Sequence, residues 1–189
     1  SLPFLNYGGI VANSDEAAAA LRDEAVARMR AHAARYVEVR HCRKSPLFPV
    51  TREHKVAMVV AVPRSADDAW RHLDAKVRNQ VRKGERSGLG IRVGSIDLLD
   101  AFYPVFCRNM RDLGTPVIGK RFFVSLFKQF PDDTSIITVT CRGVTVAAGV
   151  MIRWGNTVQM PWASSVREYN KMCPNEFMYW EAIKHAASR

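Results

Sequence analysis

The sequence predicts a mixed α/β (α+β) protein, an antiparallel meander of strands flanked by helices. Three observations predict it. Residues 134–141, 144–153 and 157–163 are rich in β-branched side chains and are separated by the turn dipeptides Arg142-Gly143 and Gly155-Asn156. Longer stretches on either side repeat their apolar residues at helical spacing. The 189 residues are 48% hydrophobic and 24% charged, ordinary globular values that exclude disorder, collagen and coiled coil for the whole chain.

The elements follow in order. Tyr7-Gly8-Gly9 leads out of an apolar start. Asn13 is placed to cap a helix over 14–34, with Glu16 three residues on as in a capping box, and with Leu21, Ala25, Met29 and Ala33 at helical spacing. Tyr36–Arg40 alternates as a strand does, residues 42–54 read as a loop, and Lys55–Val62 reads as a buried strand ended by Pro63. Ser65 can cap a helix that runs to Ser87, where Gly88 and Gly90 stop it. A short strand over 90–95 precedes helices over 96–112 and 120–129, split by Leu113-Gly114-Thr115-Pro116. After the meander, 164–173 reads as a loop, and Pro174 suits the first position of a last helix. The chain starts at Ser1 without methionine and stops at Arg189 within a helical pattern, which predicts a piece of a longer protein.

Lys and Arg number 28 against 18 Asp and Glu, a net charge of +10. Such a balance favours polyanionic partners: RNA, phosphate-bearing ligands or anionic lipid. Cys42, Cys107, Cys141 and Cys173 are scattered, without CxxC or zinc-ligand spacing, so no metal site is expected and a reduced, cytoplasmic compartment is the simplest reading. No run approaches the length needed to cross a bilayer, and no signal peptide opens the chain. The five histidines form no HxxxH or HExxH pattern and GxSxG is absent, which excludes metal-hydrolase and serine-hydrolase motifs.

Two stretches carry candidate chemistry. On one helical wheel over 70–86, Trp70, Leu73, Val77 and Val81 share an apolar face, while Arg71, Lys76, Arg78, Arg82, Lys83 and Arg86 form a cationic arc. That arc can grip phosphate or another polyanion, or it can be a solvated face. Arg82-Lys83-Gly84 lacks the glycine-rich approach and the Ser/Thr of a P-loop. In the second stretch, Trp162, Ser164, Ser165, Tyr169 and Asn175 are substrate-loop candidates before and at a helix N-terminus, whose free amides suit an anion or a developing oxyanion. Glu181 and Tyr179 are candidate general base and acid for acyl transfer to an amine. Phe177, Trp180, Ile183 and Ala187 are equally placed to be core, which would leave Glu181 on the outside.

Five stretches taken together resemble the FemAB family, and within it the exosortase (PEP-CTERM) system-associated branch. They are Tyr7-Gly8-Gly9, Tyr36-Val37-Glu38-Val39-Arg40, the basic run from Lys76 to Leu89, Asn109-Met110-Arg111-Asp112-Leu113-Gly114-Thr115-Pro116-Val117, and Asn175-Glu176-Phe177-Met178-Tyr179-Trp180-Glu181. The resemblance implies a GNAT-like acyltransferase fold, with residues 1–63 the end of a first GNAT-like half and 64–189 a second half truncated after its central helix. It implies an N-acyltransferase moving an aminoacyl or acyl group onto an amine of a cell-envelope, peptidoglycan or exopolysaccharide-related precursor. The donor would be aminoacyl-tRNA or acyl-CoA, with no resident cofactor. The alternative is a non-catalytic GNAT-like module that binds RNA or another polyanion through the basic helix. The chain departs from the pattern at two places. Enzymes of this fold that use CoA have a glycine-rich turn before the central helix, where this chain reads Arg167-Glu168-Tyr169-Asn170-Lys171-Met172-Cys173-Pro174. Relatives in the branch tend to be glycine-rich where it reads Trp162-Ala163-Ser164-Ser165.

Overall fold

A computed structural model describes residues 7–53 and 56–188. The chain divides into two compact units, 1–60 and 61–189.

In the first unit, helix α1 spans Asp15–Ala31. Its cap is Ser14, not the expected Asn13: the Ser14 hydroxyl accepts from the Ala17 N–H at 3.1 Å. Asp15 and Glu16 lie in the first turn, where the helix dipole favours negative charge. The expected strand over 36–40 is reduced to a single bridge, in which Gly8 and Arg40 exchange backbone hydrogen bonds of 3.2 and 2.9 Å. The Ile10 N–H donates to His41 Nε2 at 2.9 Å, beside Gly9, where a Cβ would collide with the imidazole.

The apolar run ending at Val62 is not a buried strand. Lys55 lies outside the described residues, and 56–62 are unpaired, with Met58 89% exposed. A β-branched run becomes a strand only where another strand offers its ladder. No such partner faces 56–62 among the described residues.

The second unit is built on one sheet. Strands β1 (Leu89–Gly94), β2 (Thr134–Cys141), β3 (Val144–Trp154) and β4 (Thr157–Ser165) lie in sequence order, every pair antiparallel. The β2–β3 turn places Arg142 and Gly143 at φ 49° and 80°, the double left-handed geometry that suits a tight hairpin. Side chains alternate between the faces. Ile137, Val139 and Cys141 join Val81, Phe177 and Met178 in one core under helices α3 (Ala75–Arg86) and α6 (Pro174–Ala187). Helices α4 (Leu99–Asp112) and α5 (Lys120–Gln129) cover the other face, where the Phe123 ring meets Phe102, Phe106 and Trp162 at 5.2–5.4 Å. Burying a side chain of this size contributes roughly 1.5–3 kcal/mol, so these clusters hold the helices to the sheet.

The helix expected over 65–87 is two helices. Ser65 caps α2 (Ala66–His72) by accepting from the Asp68 N–H at 3.3 Å. The chain then turns extended at Leu73 (ψ 141°) and Asp74 (ψ 146°) before α3 begins. Asp74 takes the N-cap position of α3 without a side-chain cap bond, and the Arg78 guanidinium reaches back to the Leu73 and Arg71 carbonyls across the break. The break also divides the cationic arc, because Arg71 belongs to α2 and the other five cations to α3. The segment expected as a loop over 164–173 is ordered too: β4 continues to Ser165, and a 3-10 helix covers Arg167–Met172.

Candidate functional site

A cleft of about 300 Å³ opens where β4 ends, between α4 and the start of α6. From β4 it receives Ser164 and Ser165, from α4 Asn109, from the 3-10 helix Asn170, and from α6 Asn175 and Glu176. Ser164 pairs with Ala148 across the ladder, so its side chain points to the α4 face; it is only 3% exposed. There its hydroxyl accepts from Asn109 Nδ2 at 3.2 Å, which leaves its own proton to donate.

Cys173 turns the chain from the 3-10 helix into α6 with the left-handed angles φ 57°, ψ 45°. Pro174 then takes the first helical position, where no N–H is needed. Phe177 bonds back to the Cys173 carbonyl at 3.2 Å, while the N–H groups of Asn175 and Glu176 have no carbonyl one turn earlier to satisfy them. The Glu176 carboxylate accepts from Gln80 Nε2 of α3 at 3.3 Å. The wall thus offers two backbone donors, a hydroxyl, carboxamides and one carboxylate, with no lysine or arginine among the described lining residues. Nearby cations are engaged elsewhere: Arg108 pairs with Glu168, and Arg167 donates to the Asp112 carbonyl at 3.3 Å. Among the described residues no group of three His, Cys, Asp or Glu could hold a metal ion. No helix there is long and apolar enough to cross a membrane.

Of the substrate-loop residues expected from sequence, Ser164, Ser165 and Asn175 line the cleft. Trp162 is buried against Phe122 and Phe123, and Tyr169 packs beside the core under α6. Tyr179 and Glu181 lie further along α6 and do not line the cleft. Tyr179 is 42% exposed, and partial burial pushes its phenol above the ordinary value. Glu181 is paired with Lys184 at 2.7 Å. Asn109 and Glu176 were not expected in the site. The signal for both lay in the motifs that contain them, but only the packing of α4 and α6 at the end of β4 gives those motifs a common destination.

The cationic helix face lies apart from the cleft lining. Arg71 pairs with Asp68. Arg78 donates to the Leu73 carbonyl and to the Arg71 carbonyl, closing the end of α2. The Arg82 guanidinium sits over the Trp70 ring at 5.3 Å, and that ring meets Trp180 at 4.9 Å. Lys76, Lys83 and Arg86 remain exposed. Within the arc, Arg78 and Arg82 brace α3 against α2, while Arg71 pairs within α2.

No curated protein matches the sequence at a significant level. Among solved structures, the chain is similar to the crystal structure of FemX, with a TM-score of 0.60 and 11% identity over 66% of this chain and 48% of that one. It is also similar to the C-terminal (DUF2156) domain of a protein assigned as a lysylphosphatidylglycerol synthetase from Agrobacterium fabrum, with a TM-score of 0.48 and 13% identity over 60% of this chain and 37% of that one. The chain therefore spans less than half the length of either matched structure. The likeness to FemX is one of fold. Residues 71–189, more than half of the chain, match the family described as Acetyltransferase (GNAT) domain. The chain belongs to that family.

Proposed function

We propose that this protein is an N-acyltransferase, moving an aminoacyl or acyl group onto an amine of a cell-envelope or exopolysaccharide-related precursor. Membership of the acetyltransferase family supports the reaction class. The envelope precursor is favoured by the FemAB-like motifs and by the fold of FemX. The observation that carries the reading is one cleft that holds the open amides of α6, the Ser164 hydroxyl and the Glu176 carboxylate.

Acyl transfer to nitrogen asks for little more than these groups. The amine lone pair attacks the donor carbonyl carbon, and the carbonyl electrons move onto oxygen, where amide and hydroxyl donors meet the charge. Collapse restores the carbonyl and expels the donor's thiolate or ribose oxygen. The amine gives up its proton and the leaving group takes one. An aminoacyl ester such as aminoacyl-tRNA is favoured over acyl-CoA. A glycine-free 3-10 helix occupies the approach to α6 and spends its amides internally, as in Cys173 N–H to the Asn170 carbonyl at 3.0 Å. A cytoplasmic location suits either donor.

The test is transfer by the full-length protein from aminoacyl-tRNA and from acyl-CoA to a panel of amine acceptors. Turnover with one donor is expected, and none with either donor overturns the reading. A second reading, a polyanion-binding module, draws on the exposed Lys76, Lys83 and Arg86 of α3.

A further inference from the structure

We propose that the cleft at the start of α6 binds a primary ammonium group with Glu176 as its counter-ion, and that it is not a diphosphate site. The inference rests on the N-acyltransferase reading and names the part of the substrate this cleft holds.

Glu176 is the third residue of α6, where a glutamate ordinarily folds back to bond the cap residue's N–H. Here that N–H, on Cys173, is already bonded to the Asn170 carbonyl at 3.0 Å. Glu176 is held instead from another helix, by Gln80 Nε2 at 3.3 Å on Oε1, which leaves Oε2 to a ligand. The surrounding groups are neutral. The Asn109 carbonyl and the Ser164 oxygen add acceptors, enough with Glu176 for the three donors of an ammonium.

A diphosphate would meet the opposite conditions. It would lie against a carboxylate with no lysine or arginine among the described lining residues to offset the repulsion. The turn that leads into α6 cannot wrap it, since the Tyr169 and Cys173 amides are bonded to the Val166 and Asn170 carbonyls, each at 3.0 Å. The open amides of Asn175 and Glu176 have a different use: they can hold the carbonyl oxygen of an aminoacyl or peptide group attached to the same amine. An aminoacyl donor and a side-chain amine of the acceptor both present this chemistry.

The experiment follows the Asn side-chain amide resonances of the isotope-labelled full chain. Alaninamide stands for the aminoacyl group and Nα-acetyl-lysinamide for the acceptor, each compared with its fully N-acetylated form, and CoA is the diphosphate probe. At least one free amine should shift the cleft resonances, and its acetylated form should not. Glu176→Gln should weaken that probe about tenfold, ~1.4 kcal/mol. Gln80→Leu, which keeps the carboxylate but frees it, should weaken the probe less. CoA should leave the cleft unshifted, and the responding amine identifies the source. If Glu176→Gln fails to fold, Glu176→Asp should show the same loss. The proposal is overturned if neither amine binds, if acetylation makes no difference, if the Glu176 variants bind as the parent does, or if CoA shifts the cleft. Because binding is read without turnover, amine binding in a protein that transfers nothing sinks the enzyme reading alone. Transfer by Glu176→Gln with the KM of both the donor and the acceptor amine unchanged sinks this inference alone.

Discussion

Gly84 of α3 lies so close to Phe177 of α6 that a Cβ added to it would stand 2.8 Å from the Phe177 Cβ and 3.4 Å from the Cys173 carbonyl. A glycine inside a helix costs about 1 kcal/mol against alanine, so its presence in α3 has to be offset by what it allows. It allows the two helices to touch backbone to side chain. One turn earlier, that approach brings Gln80 within reach of Glu176. Gly84→Ala should therefore destabilise the protein despite the gain in helix propensity, by about 1–3 kcal/mol. A thermal melt measures it, and a midpoint that stays or rises would show that the helices separate without cost.

How much of this was legible in the sequence depends on whether local chemistry or a distant partner decides each element. The meander was legible, because its β-branched strands and its turns at Arg142-Gly143 and Gly155-Asn156 are local signals. So were the Ser65 cap and Pro174 as the first residue of α6. The run at 56–62 misled because its apolar residues say nothing about whether a strand lies alongside. The helix broken at Leu73-Asp74 misled because helical spacing runs on through these residues in the sequence, whereas the extended backbone there is met by Arg78 reaching the Leu73 carbonyl, a contact that spacing does not show. Within the site, Ser164, Ser165 and Asn175 could be read from a loop leading into a helix. Glu176 and Asn109 could not, since their role depends on Gln80 and Ser164, 96 and 55 residues away.

Tyr179 tests whether the polar residues further along α6 take part in chemistry. Burial raises its phenol above the ordinary value of 10.0, so near neutrality it holds its proton and can donate but not accept one. The associated stability is complete below the ordinary value and is lost as pH rises through the raised one. In an alkaline absorbance titration, Tyr179→Phe should remove part of the late tyrosinate signal. The Tyr103 phenol, raised by burial and by the neighbouring Cys107, should account for the late signal that stays. Because Tyr179 and Glu181 stand outside the cleft and Glu181 is paired with Lys184, Tyr179→Phe and Glu181→Gln should each keep kcat within about tenfold of the parent. A loss of several orders of magnitude in either variant, with folding intact, would move the reacting centre along the helix and away from Glu176.

The cations of α3 separate into two groups that salt titration can tell apart. Lys76 and Lys83 are seven residues apart, hence on one line of the helix, and both are exposed. Arg78 spends its guanidinium on the carbonyls that end α2. If α3 binds single-stranded RNA, each phosphate contact removed should flatten the dependence of log K on log salt by about 0.7. Lys76→Ala with Lys83→Ala should thus lower the slope by roughly 1.4 and leave the melting temperature nearly unchanged. Arg78→Ala should do the reverse, lowering the melt through a lost hydrogen bond of about 1 kcal/mol and leaving the slope in place. A slope that responds to Arg78 and ignores the two lysines would mean that this guanidinium leaves the α2 terminus to meet RNA, and that the break at Leu73-Asp74 is a joint that polyanion binding opens.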